Sequence, residues 1–352
     1  MKLKELGFDS WFEAQAADCL QQGHAIARVM AVDRGRFLVK DERREMGAEL
    51  SGRFFFDVEG PGDLPCVGDW VGVELQNLGT SAIIHDLLPR KTFLRRKSAG
   101  KSVDFQMIAA NIDTAFIVQA CPFDINLRRF DRYMVMAKDG GIEPMLLLTK
   151  IDLLSPAELE QMLTEIRKGR VPGRVLPISN TTGEGFEEFR TLLVPGRTYG
   201  LLGSSGVGKT TIINRLLGHE AFETHEVSGT GEGTHTTARR QLVILDQGAM
   251  LIDTPGMREL GLLGAGDGLD RGFEDIGLLA ADCRFADCRH GGEPGCAVRA
   301  AVETGAVSEE RYRSYLKLRK ESEYHEMSYM DKRKKDRAFG RYVKSAMKHL
   351  KK

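Results

Sequence analysis

The chain contains the stretch Gly203-Ser204-Ser205-Gly206-Val207-Gly208-Lys209-Thr210. Its spacing is G-x4-G-K-T, and it lies between the apolar run 199–202 and the helical pattern 211–217, which begins with Thr211. A strand, a glycine-rich turn and a helix in this order aim backbone N–H groups and a helix N-terminus at one anion. We therefore predict a phosphate-binding loop. The alternative is a glycine-rich turn that binds nothing.

Two side chains of this loop have predicted roles. Lys209 is placed to reach the β- and γ-phosphates of a nucleotide, as a binding and catalytic residue, and the Thr210 hydroxyl is placed to hold Mg²⁺. A Cβ at Gly206 or Gly208 would block a backbone that curls around phosphate oxygens with positive φ angles. The loop indicates a nucleotide, but it does not distinguish guanine from adenine.

A second stretch, Asp253-Thr254-Pro255-Gly256, follows the apolar run 249–252. It has the D-x-x-G pattern of a GTPase switch. Asp253 is predicted at a strand end, where its carboxylate can hold the Mg²⁺ shell, and Gly256 is free to turn toward a γ-phosphate.

A third stretch, Thr149-Lys150-Ile151-Asp152, ends the apolar run 145–148. The Asp152 carboxylate can accept from the N1 and N2 hydrogens of guanine, a pair of donors that adenine lacks. The stem of Lys150 can lie along the base. Together the three motifs predict a guanine-nucleotide site and disfavour a metabolic kinase or ATPase.

The order of the motifs is unusual, because the base-reading motif precedes the phosphate loop by about 50 residues. Ordinary GTPases have the phosphate loop first. We therefore predict a circularly permuted GTPase domain, a rearrangement that costs little when termini lie close together at the surface.

The motifs in this order resemble the circularly permuted, ribosome small-subunit-dependent GTPases, the RsgA or YjeQ family. The similarity extends to a β-rich N-terminal segment and to a cysteine and histidine cluster at 283–296. The resemblance implies hydrolysis of GTP to GDP and phosphate, stimulation by the small ribosomal subunit, and action in late small-subunit (30S) maturation. The implied partners are the small subunit and its rRNA. The alternative is a GTP-gated RNA-binding regulator of mRNA or tRNA, with incidental hydrolysis.

Two further segments complete the predicted nucleotide site. By position, Ser179-Asn180 resembles the second guanine-contacting loop, whose backbone N–H binds O6. In the glycine-rich segment 229–237, Thr236 or Thr237 is predicted to close on Mg²⁺ and the γ-phosphate as switch one. Met257 stands where many GTPases carry a water-orienting glutamine. His235 is therefore predicted to orient or deprotonate the attacking water, as the resemblance also suggests; the alternative is a solvent-facing loop histidine.

A metal site is predicted near the C-terminus. The spacing C-x4-C-x-H-x5-C places four ligands within fourteen residues, and three thiolates with one imidazole favour tetrahedral Zn²⁺. Four protein ligands leave no open position, so the role is predicted to be structural. The ligands are Cys283, Cys288, His290 and Cys296.

The chain divides into three predicted domains. Residues 1–90 carry a short helix over 3–22 and five short strands, which suit an OB-type barrel that binds RNA or serves as a docking module. Residues 105–265 alternate strands and helices and predict a parallel sheet with helices on both faces. Residues 270–352 form a zinc-binding domain with a basic helical tail. The basic segment 91–104 is interpreted as a linker.

Composition and charge bound the class. The chain has 352 residues, of which 42% are hydrophobic. No apolar run is as long as a membrane span, which needs about 18 residues. From Arg311 onward there are 15 Lys or Arg and 5 Asp or Glu, which indicates a polyanion-binding tail or a solvated one. We expect a cytoplasmic monomer without membrane contact.

Overall fold

The computed structural model describes residues 1–33, 35–97, 105–168, 174–222, 240–253 and 266–326. An N-terminal 3₁₀ turn, Leu3–Leu6, is followed by two short helices, α1 and α2. The single helix predicted over 3–22 is therefore interrupted. Gly7 has a φ of +87°, which ends the first turn, and the Asp9 side chain accepts from the N–H groups of Trp11 and Phe12 to start α1. The helices are α1 Ser10–Gln15 and α2 Ala17–Gln21.

Five strands then close a small barrel in the order β1-β2-β3-β5-β4, with β4 returning to β1. All its pairings are antiparallel except that of β3 with β5. Its interior is a separate apolar cluster that includes Val29, Val71 and Ile84. The predicted OB-type barrel is confirmed. Its elements are β1 Ala25–Asp33, β2 Arg36–Lys40, β3 Glu45–Leu50, α3 Gly52–Asp57, β4 Trp70–Gln76 and β5 Ser81–Leu87.

The segment 91–104 is not simply a linker. Its residues Phe93–Lys97 form β6, which pairs antiparallel with β7, Phe105–Ala110. Leu94 is fully buried, so the strand packs one side inward although its sequence is basic.

The second domain has six strands in the order β10-β9-β8-β11-β13-β12. Five run parallel, as predicted, but β12 pairs antiparallel with β13. The elements are β8 Thr114–Ala120, α4 Leu127–Asp139, β9 Glu143–Thr149, α5 Pro156–Lys168, β10 Val175–Pro177, α6 Phe186–Thr191, β11 Thr198–Leu202, α7 Lys209–Leu217, β12 Arg240–Ile244 and β13 Met250–Asp253.

The barrel and this sheet are joined edge to edge. Ala31 and Val32 of β1 pair with Gln241 and Arg240 of β12, so one sheet of 11 strands runs through both parts. The predicted domain boundaries remain a proposal, since hydrogen bonds cross from the first to the second.

The C-terminal part that the structure describes is helical. Its first helix and its last helix pack on α4, and Arg311 of the last one is buried against the carboxylates of Asp131 and Asp275. Among the described residues no helix is both long and apolar enough to span a membrane. The helices are α8 Gly266–Gly272, α9 Glu274–Ala280, α10 Ala297–Glu303 and α11 Glu309–Glu326.

Candidate functional site

The predicted nucleotide residues come together at one edge of the sheet. Strands β9, β11 and β13 run in the same direction and end at Thr149, Leu202 and Asp253. Asp253 pairs with Leu201, two residues before the phosphate loop begins. Ligands of open α/β sheets bind beyond the carboxyl ends of the strands. The geometry therefore brings the carboxylate of Asp253 beside the phosphate loop, although the two lie far apart in sequence.

The phosphate loop has the conformation that its glycines predict. Gly206 and Gly208 have φ angles of +78° and +96°, and α7 begins directly afterwards at Lys209. A Cβ at Gly208 would lie 3.0 Å from Nδ2 of Asn180. Glycine is favoured there because the positive φ strains any other residue and a Cβ would press on the Asn180 side chain.

The Lys209 ammonium lies inside this loop. It donates to the carbonyl oxygens of Gly203 and Ser204 at 2.8 and 2.6 Å, and only 7% of the residue is exposed. Thr210 is half-buried and Thr211 is exposed at the start of α7. An ammonium held over the loop is positioned to meet an anion that the same loop surrounds.

Thr149 ties the base-reading strand to the phosphate loop. The residue is fully buried, and its hydroxyl lies 2.7 Å from the carbonyl oxygen of Val207 and 3.4 Å from that of Gln119. The next residue, Lys150, has a φ of +58°, which turns the chain sharply after β9. Ile151 is buried below this turn and Asp152 is exposed above it.

Asp152 and Ser179 meet across two loops. The Ser179 hydroxyl donates to Oδ1 of Asp152 at 2.5 Å, and its oxygen accepts from the N–H groups of Thr181 and Thr182 at 3.1 and 3.0 Å. This arrangement orients the Asp152 carboxylate and leaves its other oxygen for a ligand. A carboxylate fixed in this way fits the predicted recognition of the guanine N1 and N2 hydrogens.

Sequence reasoning missed two arginines at the site. Arg215 of α7 donates to the carbonyl oxygens of Ser179 and Asn180, and its guanidinium lies 4.4 Å from the ring centre of Phe186. It thus joins the Ser179-Asn180 loop, which is predicted to contact the base, to the helix that carries Lys209. The sequence gives no sign of this contact, because Arg215 follows Lys209 by about two helical turns and its partners lie about 35 residues earlier in the chain.

The second is Arg129 in the first turn of α4. It donates to the Ser204 hydroxyl of the phosphate loop and pairs with Asp124 at 2.6 Å. The following turn of the same helix carries Asp131 and Arg132, which pair with Arg311 and Glu321 of α11. Helix α4 therefore contacts both the phosphate loop and the C-terminal helices.

Several predicted residues lie outside the described part of the chain. These are the switch-one residues Thr236 and Thr237, the candidate catalytic His235, and Gly256 with the neighbouring Met257. Their roles stay predictions. The basic tail beyond 326 also lies outside the described residues.

The predicted metal ligands form a compact cluster. The thiol sulfurs and the His290 Nδ1 atom all lie within 4.8 Å of one another. Cys283 Sγ is 3.6 Å from His290 Nδ1 and 3.9 Å from Cys296 Sγ, and Nδ1 is 3.4 Å from Cys296 Sγ. Bond lengths of about 2.0–2.3 Å to tetrahedral zinc require ligand separations of about 3.5–3.8 Å. The donor types of all four residues fit Zn²⁺, and the separations among Cys283, His290 and Cys296 are close to those of a tetrahedral site.

The surroundings of the cluster hold its ligands in place. Burial and the charge of Arg319 lower the pKa of His290, which favours the neutral imidazole that a metal requires. Burial raises the pKa of Cys288 to about 11, so a bound cation must displace its proton. The Glu293 carboxylate accepts from the N–H groups of Gly291 and Gly292 at 2.7 and 3.0 Å and shapes the loop.

Sequence comparison with known proteins shows the family. The family model described as RsgA GTPase matches residues 87–263. The small ribosomal subunit biogenesis GTPase RsgA 2 of Lactiplantibacillus plantarum is 39% identical over 334 residues, which cover 94% of this chain and 93% of that protein. The corresponding RsgA of Methanosarcina acetivorans is 43% identical over 259 residues, which cover 73% and 69%.

Solved structures show the same fold. YjeQ from Thermotoga maritima superposes with a TM-score of 0.64 and 25% identity, covering 84% of this chain and 97% of that one. YloQ, described as a circularly permuted GTPase, gives a TM-score of 0.61 at 21% identity, covering 87% and 97%, and bears on the fold alone. The predicted circular permutation is confirmed. The chain belongs to the RsgA GTPase family, and it is a GTP hydrolase.

Proposed function

We propose that this GTPase acts in the biogenesis of the small ribosomal subunit, that it binds the subunit in its GTP state, and that the subunit stimulates hydrolysis. The observation that carries the proposal is the sharing of one sheet edge by Asp152, Lys209 and Asp253, in a chain whose relatives are named for this process. A guanine-nucleotide site attached to a barrel and a basic tail suits a partner made of RNA.

The proposed roles follow from the positions of the residues. Asp152, with Lys150 and the Ser179-Asn180 loop, reads guanine. Gly203 to Thr211, through backbone N–H groups and Lys209, hold the phosphates. Thr210 and Asp253 hold Mg²⁺, which neutralises charge that develops on the phosphates. Thr236 or Thr237 closes on the γ-phosphate, and His235 orients the attacking water.

The proposed partner is the rRNA of the subunit. The protein is proposed to act as a monomer in the cytoplasm, where subunits mature.

One structural Zn²⁺ is proposed to bind to the cluster of Cys283, Cys288, His290 and Cys296. Cys288→Ala should then release zinc and loosen the C-terminal helices while GDP affinity stays within about twofold, because the cluster lies away from the phosphate loop. Elemental analysis of protein purified without chelator checks the metal; absence of zinc would contradict the assignment.

The decisive experiment measures GTP turnover alone, with purified small subunits, and with large subunits as the control. Stimulation by small subunits only is the expected result. Stimulation by mRNA or tRNA in place of subunits would favour the RNA-regulator alternative, and no stimulation by any RNA would refute the proposal.

Base recognition has its own test. Asp152→Asn inverts the donor and acceptor pattern, so it should weaken GTP binding and admit xanthosine triphosphate. Equal wild-type affinities for ATP and GTP would contradict the role of Asp152.

A further inference from the structure

A cavity of about 400 Å³ lies at the seam between the barrel and the GTPase sheet. Four parts of the chain contribute to its walls: strand β1 with Val32, the segment before β4 with Cys66, strand β7 with Met107, and Arg240 at the start of β12. Small-molecule sites have volumes of several hundred Å³ and occur preferentially at domain junctions. The cavity therefore has the size and the place of a binding site.

The charge at this cavity is unbalanced. Arg240 is half-buried, and among the described residues no carboxylate acts on its charge. Burial lowers the pKa of Arg240, and the positive charge of Arg96 lowers it further. Arg96 in turn donates from Nε and Nη2 to Oε1 of Gln106 at 3.2 and 3.0 Å, a neutral acceptor that also lines the cavity. A partly desolvated cation beside another cation costs free energy, which a bound anion would offset.

A neighbouring arginine shows the contrast. Arg90 lies in the same region and is also largely buried, but it pairs with both oxygens of Asp69 at 2.8 and 2.7 Å. It further donates to the carbonyl oxygens of Gly62 and Leu64. The fold thus supplies a counter-charge to Arg90 from its own residues, whereas the described residues supply none to Arg240.

The remaining wall is apolar. Val32, Leu64 and Ile108 line the cavity beside Met107, and the Gln106 amide stands at its rim. A flat apolar face with an amide at its edge accepts a nucleobase, whose faces are apolar and whose edge forms hydrogen bonds. A phosphate group suits the two guanidinium groups, since arginine binds phosphate through paired N–H donors.

We propose that this cavity binds one nucleotide unit, with its phosphate at Arg240 and Arg96 and its base against the apolar wall. The unit comes from an RNA strand or from a free mononucleotide. In the RNA form the inference rests on the proposed function. Arg240 directly follows the segment 223–239, which contains His235, so an occupant here binds at the base of the predicted switch.

The test uses full-length protein saturated with GDP, so that the guanine site is filled, and a short labelled single-stranded RNA over a salt series. Arg240→Ala should weaken RNA binding about five- to tenfold and reduce the salt slope by about 1, because one phosphate contact is lost. GDP affinity and subunit-free turnover should stay within twofold of wild type. Arg96→Ala, which leaves β12 unchanged, should weaken RNA binding in the same way.

Arg167→Ala is the matched control, since Arg167 is exposed on α5 and its loss removes the same charge elsewhere. An equal loss in Arg167→Ala and Arg240→Ala would overturn the site. AMP binding that depends on Arg240, with RNA binding unchanged, supports the cavity and identifies a free nucleotide as the source. If neither RNA binding nor AMP binding is weakened in Arg240→Ala, the proposal is overturned. Failure of small subunits to stimulate turnover, with Arg240-dependent RNA binding intact, would instead refute the proposed function.

Discussion

Two buried arginines lie where the GTPase sheet meets the barrel and where it meets the C-terminal helices. The partners of Arg28, on the barrel side, are uncharged, whereas those of Arg311, on the C-terminal side, are carboxylates. On the barrel side, Arg28 of β1 is 1% exposed and donates to uncharged acceptors. Among them are the carbonyl oxygens of Gly68 and Asn111 and the hydroxyl of Thr198 at 3.3, 3.2 and 2.8 Å. On the C-terminal side, Arg311 donates to both oxygens of Asp275 at 2.8 and 2.7 Å and lies 3.4 Å from Asp131.

The difference has a physical consequence. The barrel junction is reinforced by the β1–β12 pairing, and burial lowers the pKa of Arg28 only to about 10, so its charge does not change near neutrality. The C-terminal junction is formed by helices. It contains the carboxylates of Asp131 and Asp275, which titrate in the acid range. Burial raises the pKa of Asp131 to about 6 despite the charge of Arg311. We infer that the first junction is insensitive to pH near neutrality, whereas the second responds to its charge state.

Arg311→Ala should have the largest effect on this comparison. The substitution leaves the buried Asp131 carboxylate and the half-buried Asp275 carboxylate without their cation, which costs about 3–5 kcal/mol. Proteolysis within 266–326 should accelerate strongly while the barrel stays protected. The control is Arg313→Ala, since Arg313 is exposed and, among the residues that the structure describes, pairs only with Glu309 of the same helix, an interaction worth below about 1 kcal/mol. Equal proteolysis rates for the two variants would contradict the ionic junction.

Arg28→Met should have the second largest effect, a decrease in the free energy of unfolding. It keeps the length of the side chain but leaves several buried acceptors without a donor, so we expect a loss of about 2–3 kcal/mol. The loss should be the same at pH 5 and pH 8, because neither pH changes the charge of Arg28. Chemical unfolding at both values measures it, with Arg36→Met on the exposed start of β2 as control. A pH-dependent loss would remove the distinction between the junctions.

Asp131→Asn tests the acid response. Because the folded-state pKa of Asp131 is raised to about 6 from 3.8, this group stabilises the fold below pH 3.8 and loses that contribution as pH rises through 6. Removing the carboxylate should therefore raise the stability of the variant relative to wild type by about 1–2 kcal/mol between pH 4 and pH 7.

The pKa of Asp275 shifts the other way. Burial raises it, but the hydrogen bonds and charge of Arg311 outweigh burial and lower it, so its contribution is present above pH 3.8 and is lost as pH falls. Asp275→Asn should therefore be less stable than wild type above pH 3.8, and this difference should shrink as pH falls below 3.8, which unfolding followed from pH 7 to below pH 3.8 measures. Parallel pH profiles for the two variants would contradict both assignments.

The smallest free-energy change is expected for Arg215. Like Arg28, it donates to backbone carbonyl oxygens, but it is exposed to solvent. Arg215→Ala frees the carbonyl oxygens of Ser179 and Asn180, so GDP affinity should fall about three- to tenfold, or about 1 kcal/mol. The preference for GDP over inosine diphosphate should fall with it. Arg190→Ala on the neighbouring α6 is the control, and unchanged guanine preference in Arg215→Ala would refute this role of Arg215.

The strand over 93–97 shows where sequence reasoning stopped. Its three consecutive basic residues, Arg95, Arg96 and Lys97, are typical of a solvated linker, and only the burial of Leu94 and pairing with β7 reveal a strand. The antiparallel direction of β12 was missed for a similar reason, because strand direction depends on a partner that periodicity does not name.

The amino-acid sequence by itself determined the phosphate loop, the base-reading motif, the cysteine and histidine cluster and the permuted order. Each of these needs particular residue types at short spacing, since adjacent backbone groups or neighbouring ligands act on one ion or phosphate. The tertiary structure alone decided which arginines are buried and what they bind. Arg28 meets Thr198 across 170 residues, and Arg311 meets Asp131 across 180. Local patterns do not encode such contacts, because the burial of a charge depends on which distant chain segments pack around it.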